Sequence, residues 1–301
     1  MTWNSRLFAL VAFSSALLLG CGQKTQDSAI VGSGQPSSVK SFNSYPSWAP
    51  DGSKILFSSD RAGSMDLYTI DPSGQNLIRL THHDSVDSHA AWSPGGSRIA
   101  FDSHRDGNRE IYVMNADGSE PRRLTHHPQW DGTPSWSRDG SELVFYSERD
   151  GNAEIYVVAL DGTGLRRLTA TPTNEYNPSF STNDGAMLME SSADGNRDIV
   201  VLQPGDQVPL NVSRHRARDH LPAWSPDGTQ IVFSSRRDGN DDIYVMDRDG
   251  RHIQNLTKHP AVDVMADWSP DGSRIVFVSN RDGAFRLYTM AANGEYVRAV
   301  E

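Results

Sequence analysis

Residues 224–250 read WSPDGTQIVFSSRRDGNDDIYVMDRDG, and the same phrase returns as WSPGGSRIAFDSHRDGNREIYVMNADG at 92–118 and as WSPDGSRIVFVSNRDGAFRLYTMAANG at 268–294. Its anchoring aromatics are Trp48, Trp92, Trp136, Phe180, Trp224 and Trp268, each 44 residues from the next. A fixed period in the range of 20–50 residues is the mark of a repeat architecture. Inside each copy the turn signals and apolar runs alternate. Asp-Gly pairs at 51–52, 139–140, 227–228 and 271–272 supply the positive φ of tight hairpins. The runs after them (ILF at 55–57, LVF at 143–145, IVF at 231–233 and 275–277) are too continuous for a strand with one wet face, and so predict strands buried on both sides. Arg-Asp-Gly-Asn turns at 149–152 and 237–240 lead to a third strand such as EIYVV at 154–158, and a fourth ends in Leu-Thr, as at 168–169.

Each copy thus predicts four short antiparallel strands. One such sheet cannot bury two apolar faces by itself, whereas six set radially can, each against its neighbour. The expected fold is all-β, a six-bladed propeller over residues 42–301. The repeated tryptophans are assigned to the core, since each removes roughly 150–250 Å² from water, at most about 4–6 kcal/mol. Val300 aligns with Leu256, so the last copy owns its outer strand and needs none from the start of the chain.

WSPDG followed by IVFxS, RDGN, DIYVM and LT resembles the TolB-type propeller repeat, a WD-repeat-like module, over residues 42–301. TolB proteins also carry an N-terminal α/β domain, for which residues 22–41 leave no room. The resemblance therefore implies the propeller and not the Tol partners.

The first 20 residues are a different object: Arg6 precedes an apolar run from Leu7 to Leu19, the pattern of a secretory signal peptide. Leu18-Leu19-Gly20-Cys21 resembles a bacterial lipobox, and Cys21 is the only cysteine. The resemblance implies a lipidated Cys21; several acyl chains at about 0.8 kcal/mol per CH2 make a firm anchor. Gly22 in place of Asp implies sorting to the outer membrane, with the domain facing the periplasm. Residues 22–41, small and polar, read as a flexible tether. With 28 basic and 38 acidic residues the formal charge is −10, which disfavours nucleic acid and anionic lipid surfaces as partners. Membrane contact is expected through the lipid anchor only.

Five residues ahead of each anchoring aromatic stand Asn43, Asp87, Asp131, Glu175, Asp219 and Asp263, which would form a ring at the channel mouth. Two readings stand open. Each carboxylate accepts hydrogen bonds from backbone amides or from an arginine such as Arg105, Arg149 or Arg237 of a neighbouring blade. Alternatively, the ring holds a hard cation such as Ca2+ or receives a basic segment of a partner. Asn at Asp131 and Asp219 would then weaken binding with little thermal effect, while a large loss of stability marks the structural reading.

Positions that break the repeat are the better guide to function. Tyr45, His89, Thr133, Asn177, Leu221 and Met265 differ in every copy; Tyr176 and His220 precede two of them, and Trp130 is an extra tryptophan. Copy four departs throughout, with Phe180, Asn183-Asp184, Ala193 and Val200, either by drift or to change an edge used for contact. No GxSxG elbow and no Gly-rich phosphate loop is present. The expectation is a noncatalytic scaffold of the bacterial envelope that binds a protein or peptide, without a cofactor. The alternative is a metal-dependent, polysaccharide-lyase-like enzyme using His82, His126 or His220, since His82-His83 and His126-His127 occupy matching places and His215 and His259 follow them.

Overall fold

The structure is a computed structural model that describes residues 41–301 apart from residue 194. The signal peptide, Cys21 and the tether through residue 40 lie outside the described residues. Six four-stranded antiparallel sheets follow one another along the chain, at 43–79, 87–123, 131–167, 175–211, 219–255 and 263–299. In the first blade β1 (Asn43–Trp48), β2 (Ile55–Ser59), β3 (Asp66–Ile70) and β4 (Ile78–Arg79) pair in sequence order, and every other blade repeats this. Among the described residues no helix is long and apolar enough to cross a membrane.

The apolar runs behave as their composition requires. All of Ile55–Ser59 is buried, and so is its equivalent in each blade except for the first residue of the strand in some copies. The cores lie between blades: Leu56, Leu67 and Leu80 of blade 1 pack with Ile99, Phe101 and Tyr112 of blade 2, and Leu188, Ile199 and Val212 of blade 4 with Trp224, Ile231 and Phe233 of blade 5. Trp48, Trp136, Trp224 and Trp268 are buried, and Trp136 and Trp224 donate Nε1–H to Ala91 O and Ser179 O of the preceding blade. Each sheet therefore covers the apolar face of the next, and the hydrophobic effect acts between copies rather than within one.

Each blade is built from one continuous stretch of chain, so among the described residues no strand is exchanged to close the ring. The inner strand of blade 1 lies against blade 6. There the Asn43 amide donates to Phe285 O at 3.1 Å, and the Trp48 amide donates to Asp267 Oδ2 at 2.9 Å. Burial pushes Asp267 up to about 6 against the help of the Trp48 and Trp268 amides. Phe42 meets Phe285 edge to face at 5.2 Å. The last clasp is ionic: Arg61 Nη2 reaches both carboxylate oxygens of Glu301 at 2.8 Å, and Asn43 Nδ2 donates to the same group.

Candidate functional site

Register places the chemistry. Asp87 lies opposite Ser103, and Ser103 opposite Glu110, so inner-strand starts and the turns between second and third strands share one end of each blade. At that end a repeating clamp is built. Arg105 donates Nε–H to Ser103 Oγ at 2.9 Å and Nη2–H to Asp87 at 2.8 Å, with its guanidinium carbon 5.4 Å from the Phe101 ring centre and 4.8 Å from that of Tyr112. Arg149–Asp131, Arg237–Asp219 and Arg281–Asp263 repeat it at 2.8–2.9 Å. Asp87, Asp131, Asp219 and Asp263 are fully buried. Each arginine sits 18 residues after its carboxylate, in the same blade. This corrects the expectation of an arginine from a neighbouring blade: the antiparallel register of inner and second strands returns the turn to the strand's own start.

Glu175 is the exception. It is 1% exposed and has no arginine, because Ala193 stands at that place. Its Oε1 accepts from Thr171, Thr173 and Ser191 hydroxyls at 2.9–3.3 Å, while Oε2 is buried without a partner. Burial, only partly offset by those hydroxyls, pushes its pKa up to about 7.

The histidine pairs divide by position. His83, His127, His215 and His259 each accept on Nδ1 the backbone N–H two residues on, at 3.0–3.1 Å, which braces the loop between blades. His82 and His126 are exposed. Among the described residues no group of three His, Cys, Asp or Glu is placed to hold a metal ion. The structure therefore does not bring His82, His126 and His220 together as a ligand set.

The non-repeating residues do converge. Tyr45, His89, Thr133, Asn177, Leu221 and Met265 all have positive φ, from 49° to 60°, and each lies in the irregularity that interrupts the pairing of its inner strand. A β-branched residue such as Thr133 seldom adopts this conformation. Side chains of the preceding blade receive the backbone amides there: Thr133 N–H donates to Asp102 at 3.0 Å, Leu221 N–H to Glu190 at 2.7 Å and Met265 N–H to Ser234 at 3.2 Å. Neighbours touch across blades, the Tyr45 and His89 rings meeting at a tilt of 42° with their centres 3.8 Å apart.

Beneath them lies a buried charge network that reading the inner strands missed. Asp102 pairs with His89 at 3.0 Å and lies 3.9 Å from Arg109; burial alone would raise its pKa, yet these two neighbours hold it well below the carboxylate range. Arg109 also donates to Tyr146 OH at 2.9 Å and lies 5.5 Å from the Trp130 ring. Glu190 accepts from Arg197 at 2.9 Å and from Asn177 at 2.5 Å. His220, 1% exposed, meets Asp241 at 3.0 Å, and burial keeps the imidazole pKa below its usual value. Tyr176 lies under Arg197 at 4.9 Å. Asp102, Tyr146 and Glu190 share one position of the 44-residue period with Ser58, Ser234 and Val278; Arg109, Arg197 and Asp241 share another with Met65, Ala153 and Phe285. The same test for broken repetition, applied to second and third strands, would have found them. At these two positions blades 2, 4 and 5 carry charge, whereas blade 6 has Val278 and Phe285 and blade 1 has Ser58 and Met65.

The model of the TolB β-propeller domain matches residues 29–125, 87–212 and 207–301. The chain belongs to the TolB β-propeller family. Among solved structures this TolB-family propeller is similar to TolB from Acinetobacter baumannii, at 20% identity and a TM-score of 0.68 over 85% of this chain. It spans 62% of that protein's length. It is also similar to the tricorn protease (18% identity, TM-score 0.72, 87% of this chain and 26% of that one) and to an oligogalacturonate lyase solved with manganese (18%, 0.62, 86% and 77%). No curated protein matches the sequence. At such identities the likeness to solved structures is one of fold.

Proposed function

We propose that this TolB-family propeller is a noncatalytic binding scaffold of the bacterial envelope, held by acyl chains on Cys21 to the outer membrane and presenting its channel mouth to a protein or peptide in the periplasm. The observation that carries the reading is the division of labour at one end of the blades. The repeating residues are consumed in internal clamps, while the residues that differ between blades meet around the axis on strained backbone. Strain of this kind concentrates at functional sites. Family membership and the likeness to a TolB protein support an envelope location and a protein partner.

The contact residues of this reading are Tyr45, His89, Asn177, Trp130 and the rim above His220. The ring carboxylates Asp87, Asp131, Asp219 and Asp263 act behind them by holding the turns. Crosslinking capture from intact envelopes tests it, comparing the lipidated protein with a variant changed at Tyr45, Asn177 and Trp130. A partner captured by the former and lost from a folded variant supports the scaffold; equal capture by both removes it. Cys21→Ser should release the protein from the membrane fraction, and retention there would refute the anchor.

The buried His220–Asp241 pair is the observation favouring the alternative, an enzyme acting on acidic oligosaccharides. Chelator-sensitive cleavage of oligogalacturonate would establish that reading and displace the first.

A further inference from the structure

Blades 4 and 5 meet at the mouth with charges that do not balance. Arg197 is paired with Glu190 at 2.9 Å and Arg236 with Asp241 at 2.8 Å. Arg218 stands among these four groups and feels the charge of each. Its backbone carbonyl accepts the Arg236 amide at 3.1 Å, which fixes the residue immediately before the inner strand of blade 5. Yet Nε and Nη2 of Arg218 are buried with no acceptor. Among the described residues these are the only guanidinium nitrogens in that condition. The clamp arginines, by contrast, each reach a carboxylate. Three guanidiniums here face two carboxylates, both engaged, and burial opposes protonation of His220.

We propose that Arg218 is the receptor for a single carboxylate of the partner, carried by an acidic side chain or by a chain end, with apolar residues beside it. The inference rests on the scaffold reading above and names the chemistry of its partner. A guanidinium offers two parallel N–H donors that match a carboxylate fork, and in a partly desolvated site such a bond is about twice as strong as a neutral one. Burial pulls the Arg218 pKa down to about 10, which leaves the group charged at neutral pH. The flanking Glu190 and Asp241 repel a second negative charge, so a lone carboxylate fits better than a phosphate dianion or a polyanion. The apolar requirement comes from the next blade. Asp263 N–H donates to Asp241 O at 2.9 Å, which sets Val262 and Val264 of blade 6 beside the charged cluster.

The test uses the full-length chain in detergent and isothermal titration with two pairs of leucine-rich pentapeptides. One pair has blocked ends and a central Glu or Gln; the other has no acidic side chain and a free or amidated C-terminus. We expect the carboxylate member of one pair to bind roughly tenfold tighter than its neutral partner, about 1.4 kcal/mol. The preference should vanish in Arg218→Gln and return in part in Arg218→Lys, and the pair that shows it distinguishes side chain from chain end. Equal affinities within both pairs, including no binding of any peptide at millimolar concentration, overturn the proposal, as does a preference that survives Arg218→Gln. The melting temperature of Arg218→Gln should equal or exceed that of the wild type, because no internal acceptor is lost. A fall of several degrees would make Arg218 a packing residue and sink the idea. Failure here with envelope capture intact leaves the scaffold standing; absence of any captured partner removes both.

Discussion

Blade 4 and blade 3 share a backbone plan and differ in how they hold a buried carboxylate. In blade 3, Phe145 and Tyr156 face each other across the second and third strands, Arg149 lies over both rings, and Asp131 receives the guanidinium. In blade 4 the three positions change together, to Met189, Val200 and Ala193. Met189 and Val200 remain register partners and close on each other inside the core shared with blade 3. The aromatic pair therefore belongs to the arginine: without a cation to sandwich, two aliphatic side chains fill the space. What is left behind is Glu175, a carboxyl whose charge has no answer. Blade 1 shows the complementary solution, because it lacks the carboxylate rather than the arginine, and Glu301 supplies one from beyond the outer strand of blade 6.

The largest test converts blade 3 into blade 4. Arg149→Ala strands Asp131 and is expected to cost about 3–5 kcal/mol of unfolding free energy at pH 8, the usual penalty for breaking a buried pair from one side. Denaturant unfolding measures it, and the loss should shrink as the pH is lowered, because Asp131, whose pKa burial already raises, protonates more readily once Arg149 is gone. Asp131→Asn keeps an acceptor for Arg149 and should cost less. A loss under 1 kcal/mol in Arg149→Ala would refute the clamp.

Next comes the pH dependence of Glu175. Its pKa rises from 4.5 to about 7 on folding, so the folded state binds the proton more tightly. Its contribution to stability is complete below pH 4.5 and is lost as pH climbs through 7, a span on the order of 3 kcal/mol. Glu175→Gln should remove that part of the slope while the part due to Asp267 remains; identical pH profiles for wild type and variant would show that Glu175 is not stranded.

Smaller effects sharpen the comparison. Glu301→Gln weakens the clasp on Arg61, whose partners are nearly a fifth exposed, and should cost about 1–2 kcal/mol. Ala193→Arg should give blade 4 its missing cation and add about 1 kcal/mol at pH 8, with the gain disappearing at pH 4, where Glu175 is neutral. His127→Ala removes a loop brace on the surface and is expected to lower stability by less than about 1 kcal/mol, with no change on adding chelator. A larger loss caused by chelator in the wild type would show that the histidine loops hold a metal after all.

The blades were legible because their cues are local and repeated: hairpin glycines, short apolar runs and a tryptophan every 44 residues. The site was legible only in part. Broken repetition singled out Tyr45, His89 and Asn177, and the structure gives all three the same left-handed backbone in the irregularity of an inner strand. Asp102, Glu190, Arg109 and Arg197 escaped notice because second and third strands were read for their apolar pattern alone. The ring carboxylates look, in sequence, like an exposed acidic mouth. Their burial is a property of register and not of spacing, since only the folded blade brings Arg149 back over Asp131.

Sequence alone therefore determines the number of blades, the strands within each and the aromatic cement between them, because all three follow from short-range periodicity. Only the tertiary structure decides which charges are neutralised. A carboxylate and a guanidinium 18 residues apart are indistinguishable from strangers until antiparallel pairing sets them at 2.9 Å. By the same physics, a guanidinium such as Arg218 is seen to be alone only when every neighbour that could answer it is in place.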